Sequence, residues 1–231
     1  MAVSLRDVVT VLLPGTGSDD DYLRRALAGP LEQVGARVVA VAPEPGRLVD
    51  GCLQALDRAG GRIAVGGVSL GAVLAARWAL AHPDRAVAVL AVLPPWTGEP
   101  GEAPAASSAR HTAELLRRDG LAATTAAMRA SSPPWLADEL ARSWQRQWPL
   151  LPDAMEEAAG CVAPTRAELR RLTAPLAVVA AADDPVHPAA VAADWAACAP
   201  RAALRTVRLD QFGPDPALLG RACVDALRAI G

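Results

Sequence analysis

The stretch that most constrains this chain is residues 62–76, R-I-A-V-G-G-V-S-L-G-A-V-L-A-A. Ile63 to Gly66 reads as a short apolar strand, and the residues from Leu70 onward read as an amphipathic helix, with Ser69 in the turn between them. A chain that passes so abruptly from strand to helix strains the backbone of the residue at the corner. It also crowds the positions two before and two after. Glycine stands at both, Gly67 and Gly71, and having no Cβ it fits there. The turn lifts the Ser69 hydroxyl out of the sheet, beside the end of a helix dipole that favours negative charge. An ordinary glycine-rich turn can carry the same five residues, but the flanking strand and helix favour the G-x-S-x-G elbow that presents a nucleophile.

The rest of the chain alternates in a way that extends this local reading. Apolar runs at 7–13, 37–42, 86–93, 175–182 and 203–209 are separated by helical patterns near 47–59, 70–81 and 189–199, with a last helix ending near 230. That alternation predicts a parallel sheet with helices on both faces. After the first run comes the turn Pro14-Gly15-Thr16-Gly17, followed by Ser18-Asp19-Asp20-Asp21, whose acids suit a helix start. Between 97 and about 173 the alternation stops. A loop over 97–108 leads into helical segments without a convincing strand, which predicts an α/β core of residues 1–96 and 174–231 interrupted by a helical lid, 97–173.

Composition narrows the function classes. With 52% hydrophobic and 21% charged residues over 231 positions, the chain is expected to be globular, with a sizeable core in one large α/β unit. It has no lysine, and its 23 arginines nearly balance 25 acids, giving a net charge of -2 without a basic stripe, which argues against a nucleic-acid partner. No apolar run approaches the length of a membrane span, and the N-terminus lacks a basic-then-apolar segment, so a cytoplasmic protein with no membrane partner is expected. Cys52, Cys161, Cys198 and Cys223 are far apart, with no paired spacing and no nearby histidine. Neither a zinc site nor a disulfide framework is indicated, and buried thiols are the simpler reading. No dinucleotide, phosphate-loop or H-E-x-x-H motif is found, so no cofactor is expected and the partner is a small-molecule substrate.

Four pieces together resemble the α/β-hydrolase family across essentially the whole chain: L-L-P-G-T-G-S-D after the first run, G-V-S-L-G-A at the elbow, the helical insertion after the following run, and A-A-D-D-P-V-H-P after the next. The resemblance implies a Ser69 nucleophile and an oxyanion hole built from the backbone N–H of Leu70 and of Thr16 in the Gly15–Thr16 turn. Where that family usually has His-Gly, this chain has Pro14-Gly15, and a backbone donor needs no particular side chain. It also implies an acid after the penultimate strand. Asp184 suits the setting better than Asp183 because Pro185-Val186-His187-Pro188 follows it directly. A turn or helix-cap carboxylate is the other reading of Asp184.

The resemblance breaks at the third member. In the family the base follows the last strand, and the corresponding segment here, L-D-Q-F-G-P-D-P, contains no histidine. Of the three histidines, His82 suits the C-terminus of the helix after the elbow, and His111 suits an exposed position early in the lid. His187, three residues after Asp184, reads equally as a displaced general base or as a helix-start residue before Pro188. Two functions follow. One is a serine hydrolase of small esters or thioesters using Ser69, His187 and Asp184. The other is a hydrolysis-deficient member of the fold that binds a small ligand or catalyses a cyclisation or elimination.

The aromatic residues bear on the ligand. Trp96 leaves a strand at the edge where ligands of open α/β sheets bind, which makes it a pocket candidate with Gly15 and Trp135. Trp135, Trp144 and Trp148 also suit a small lid core, Trp144 and Trp148 lying four residues apart on one helix face. Arg166 and Arg170, four apart, read as a solvated face.

Overall fold

A computed structural model describes residues 3–230. The described chain forms one six-stranded sheet in the order β2-β1-β3-β4-β5-β6, where β1 is Val9–Leu13, β2 Arg37–Ala40, β3 Ile63–Val68, β4 Ala86–Val92, β5 Leu176–Ala181 and β6 Ala202–Val207. Every pairing is parallel. The central strands β3 and β5 are buried along their whole length, whereas the edge strand β2 alternates exposed and half-buried residues. A parallel strand covered on both faces must be apolar throughout, which is why these segments read as runs rather than alternations.

Two apolar layers flank the sheet. On one side Val11, Leu13, Val65, Val89 and Val178 pack against α3 (Leu48–Arg58), α4 (Leu70–Ala81) and α9 (Ala189–Cys198). On the other, Leu12, Ala64, Leu90 and Val179 pack against α11 (Ala217–Ala229) and an N-terminal helical run: α1 (Asp20–Leu23), a π-turn (Arg24–Ala28) and α2 (Gly29–Gln33). Helix α4 differs from the amphipathic reading of its sequence. Nine of its twelve residues are buried, because it lies beneath the centre of the sheet and is also covered from outside by α3 and by residues 154–174.

Between β4 and β5 the chain is helical: α5 (Pro104–Ser131), α6 (Pro134–Gln147), α7 (Leu151–Ala159) and α8 (Arg166–Leu169). The loop expected over 97–108 ends sooner because Pro104 sits in the first turn of α5, where its missing N–H costs nothing. Gly120, at φ 77° and ψ 171°, breaks α5 into two helices. Trp148 does not share a helix face with Trp144. The residue before a proline is pushed out of the helical region, and ahead of Pro149 Trp148 turns extended (ψ 140°) and is 38% exposed. Trp144 is buried with Leu116, Leu151 and Met155 in a small cluster of this segment. The last strand ends at Val207, two residues before its expected end, and α10 (Leu209–Phe212) begins there.

Candidate active site

Ser69 sits between β3 and α4 with φ 54° and ψ −114°, a conformation that costs a non-glycine residue of the order of 1–3 kcal/mol. The corner is held by its own backbone: the Ser69 N–H donates to the Val92 carbonyl (2.9 Å), and its carbonyl accepts from Ala72 (2.9 Å). The Leu13 carbonyl of the neighbouring strand lies so close that a Cβ on Gly67 or on Gly71 would stand well inside van der Waals contact with its oxygen. The glycine requirement read from the sequence is therefore physical, and one carbonyl imposes it at both positions.

The turn after β5 supplies the next groups. Pro185 has no N–H, and the Asp184 carboxylate closes the turn over it: Oδ1 accepts from the Val186 N–H (2.8 Å) and the His187 N–H (3.1 Å). Oδ2 accepts from His187 Nδ1 (2.8 Å), and His187 Nε2 stands 2.9 Å from Ser69 Oγ. With Nδ1–H donating to a carboxylate, Nε2 is left as the acceptor for the serine hydroxyl. Burial alone would raise the Asp184 pKa. The hydrogen bond from the His187 ring, its charge, and the two backbone N–H groups outweigh that and hold the carboxyl below its ordinary value. An imidazole held in this way can take a proton from Ser69 Oγ and return it to a leaving group, with the carboxylate stabilising the charged ring in between.

The other candidates fall as follows. Asp183 is engaged elsewhere: it accepts from the Leu209 N–H (2.9 Å) and pairs with Arg208 (3.2 Å), tying the β5 turn to the end of β6. The His82 ring nitrogen lies 2.9 Å from the Trp78 carbonyl and the ring stacks on Trp78, at the end of α4 remote from Ser69. His111 is exposed on α5 at the margin of the cavity described below. The Gly15–Ser18 turn closes with a 3.0 Å hydrogen bond, and a Cβ on Gly15 would stand 3.5 Å from Ser69 Cβ, so this turn borders the serine. Among the described residues neither the Thr16 nor the Leu70 backbone N–H has an acceptor. Arg166 pairs with Asp194 (2.8 Å), and Arg170 is exposed like it.

A cavity of about 640 Å³ opens beside Ser69, between the strand ends and helices α5–α7. Gly15, Thr16, Trp96, Trp135, Asp184 and His187 all line it, whereas Leu70 lies behind the serine and is buried. Trp96 is anchored through its indole N–H to the Cys161 carbonyl (3.0 Å). Trp135 does not join a core within the inserted helices. Its ring meets Phe212 edge-on at 5.4 Å and lies over Gly213, where no side chain could be accommodated without moving it. Leu209 and Phe212 therefore form cavity wall where the family pattern led one to look for a histidine.

Sequence reasoning missed the groups on the far wall. Asp19 caps α1 through the Tyr22 N–H (3.0 Å) and, almost wholly buried, also pairs with Arg142 of α6 (2.8 Å). Glu139 pairs with Arg142 (2.7 Å) and Arg25 (2.5 Å), and Gln147 donates to the Ser18 carbonyl (3.1 Å). The acids after β1 were legible as a helix start, but partners more than a hundred residues away leave no local signal. Cys52 and Cys223 are buried thiols, pushed up to about 12 by burial. Among the described residues no group of three His, Cys, Asp or Glu side chains could hold a metal ion.

A parallel sheet wound with helices on both faces, with a serine on a strained strand-to-helix corner at its C-terminal edge, defines an α/β-hydrolase fold. The chain belongs to the alpha/beta hydrolase family, whose model matches residues 2–211. Among solved structures it is similar to a hydrolase from Pseudomonas aeruginosa PA01, at 22% identity and TM-score 0.70 over 95% of this chain and 91% of that one. It is also similar to a thermophilic esterase from Thermogutta terrifontis (17%, TM-score 0.71, 98% and 92% covered) and to an enol-lactonase from Burkholderia xenovorans LB400 (19%, TM-score 0.69, 95% and 91% covered). At these identities the likeness is one of fold. No curated protein matches the sequence.

Proposed function

We propose that this protein is a serine hydrolase of small esters or thioesters. Ser69 attacks the acyl carbon, His187 is the general base and then the acid, and Asp184 orients and stabilises the imidazole. The N–H groups of Leu70 and Thr16 receive the oxyanion, and helices α5–α7 act as a lid over the acyl or leaving group. The observation that carries this reading is the continuous chain from Asp184 Oδ2 through His187 to Ser69 Oγ, with spacings of 2.8 and 2.9 Å. Both are within the reach that proton transfer requires. Two free N–H groups beside the serine add to it, since removing one such donor in a serine hydrolase costs about 100- to 1,000-fold.

The alternative, a fold retained without hydrolysis, drew its support from the missing histidine after β6. An imidazole at hydrogen-bond distance from the serine weighs against it. The distinguishing experiment is reaction of the purified protein with a fluorophosphonate probe, read by intact mass. The expected result is one adduct in the wild type, none in Ser69→Ala and a sharp slowing in His187→Ala. A wild type that takes no label would return the reading to ligand binding or non-hydrolytic chemistry.

A further inference from the structure

The walls of the cavity differ sharply in charge. No arginine lines it, and the chain has no lysine, so the His111 and His187 rings are the basic groups on its surface. Two carboxylates besides Asp184 do line it, Asp19 and Glu139. The guanidinium groups that meet these carboxylates are spent on them and on Asp21: Arg25 on Asp21 (3.0 Å) and Glu139, Arg142 on Asp19, Asp21 (3.2 Å) and Glu139, and Arg146 on Asp19 (3.4 Å). Three arginines thus balance three acids in this cluster, and no arginine lines the cavity itself. Much of the remaining wall is apolar, including Trp96, Trp135, Leu140, Met128 and Met155.

Tyr22 stands in this wall. Its ring is half-buried beneath the Arg25 guanidinium, 5.7 Å from the ring centroid, and its hydroxyl has no hydrogen-bond partner among the described residues. Of the other hydroxyls in the wall, those of Thr112, Thr124 and Ser131 donate back to carbonyls of their own helix, whereas those of Thr16, Ser18, Ser108 and Ser132, like that of Tyr22, have no hydrogen-bond partner among the described residues. Burial, and then the charge of Glu139, push the Tyr22 phenol upward, so it stays protonated and can donate. A donor beside a carboxylate suits an acceptor that carries no negative charge of its own.

We propose that the cavity selects an uncharged, mainly apolar ester or thioester whose end remote from the reacting carbonyl presents a neutral acceptor oxygen to the Tyr22 hydroxyl, and that it discriminates against carboxylate- and phosphate-bearing substrates. The inference rests on the cavity being the substrate site. Its test does not depend on turnover, because it uses the Ser69→Ala protein, in which the indoles of Trp96, Trp135 and Trp144 in the cavity wall report binding by fluorescence. Methyl 6-oxoheptanoate, methyl heptanoate and monomethyl adipate would be titrated in parallel, offering a neutral acceptor, no acceptor and a carboxylate.

The ketone should bind roughly 3- to 10-fold more tightly than the plain ester, as expected of one neutral hydrogen bond. Monomethyl adipate should bind at least about 10-fold more weakly than the ketone, since a carboxylate would be desolvated beside Glu139 without a cation. In Ser69→Ala/Tyr22→Phe, the ketone's advantage over the plain ester should vanish while the discrimination against the carboxylate remains. Monomethyl adipate binding as well as the ketone, a ketone advantage that survives Tyr22→Phe, or no binding of any of the three would overturn the proposal. Binding in the proposed order with no ester turnover by the wild type would instead overturn the hydrolase reading and leave this one standing.

Discussion

At the end of β5 the chain places Asp184 and His187 within four residues, the imidazole 2.9 Å from Ser69; at the end of the adjacent β6 the turn gives the same cavity Leu209 and Phe212. Both turns border the cavity, and they are tied together by Asp183, which accepts from the Leu209 N–H. The difference lies in local backbone chemistry. Asp-Pro leaves a turn whose first free N–H groups, on Val186 and His187, fall on the aspartate, so one carboxylate organises both the turn and the ring. The β6 turn instead winds into α10, and Phe212 is buried against Trp135. In the proposed mechanism acid and base thus share one turn, and the neighbouring turn serves as apolar wall.

This comparison makes unequal demands on the two turns. Changes after β5 should act on rate, and changes after β6 on stability. Apart from loss of the base itself, the largest effect is expected for Asp184→Asn. The amide oxygen can still accept from the Val186 and His187 N–H groups, so the turn should persist, but the imidazole loses its anionic partner. A fall in kcat of about ten-thousand-fold is expected, by analogy with the same exchange in serine proteases, with a folded protein whose melting temperature at neutral pH is only modestly lowered. A loss of folding instead would mean that the carboxylate is needed for the turn itself.

Next comes Phe212→Ala, which empties a fully buried site and should cost about 3–5 kcal/mol in denaturant unfolding, with residual ester turnover by the folded fraction. Gly213→Ala should cost less, about 1–3 kcal/mol, because its φ of −56° suits alanine while the new methyl group displaces the Trp135 ring. Trp135 also lines the cavity, so KM for an apolar ester should rise as well.

The smallest effect is a pH dependence. The Asp184 carboxyl is held below its ordinary value of 3.8, so its contribution to stability is fully present above that value and is lost as pH falls through the depressed folded-state pKa. Melting temperatures of wild type and Asp184→Asn should therefore converge as pH drops below about 4, and a gap that widens there would contradict the assignment.

Strand positions were legible in the sequence to within about two residues, because a strand buried on both faces leaves a continuous apolar run. The elbow was legible because one carbonyl, that of Leu13, forbids side chains at Gly67 and Gly71. The direction of the His187 ring was not. Three residues after an aspartate, a histidine can start a helix or turn back onto the carboxylate, and nothing in D-D-P-V-H-P decides between them. The path of Trp148 was readable in principle from Pro149. The pairing of Asp19 with Arg142 and the packing of Trp135 on Phe212 were not, since they join segments distant in sequence, and spacing rules describe neighbours along one element.

The central claim is that the base comes from the β5 turn. The most direct test is kcat for a neutral p-nitrophenyl ester in His187→Gln, set beside a His82→Gln/His111→Gln double variant that keeps His187 as the single histidine. His187→Gln should lose activity by about a million-fold in kcat, as when a serine protease loses its base, and the double variant should stay within a few-fold of wild type. A His187→Gln protein that retains most of its activity, or a double variant that loses it, would contradict the account.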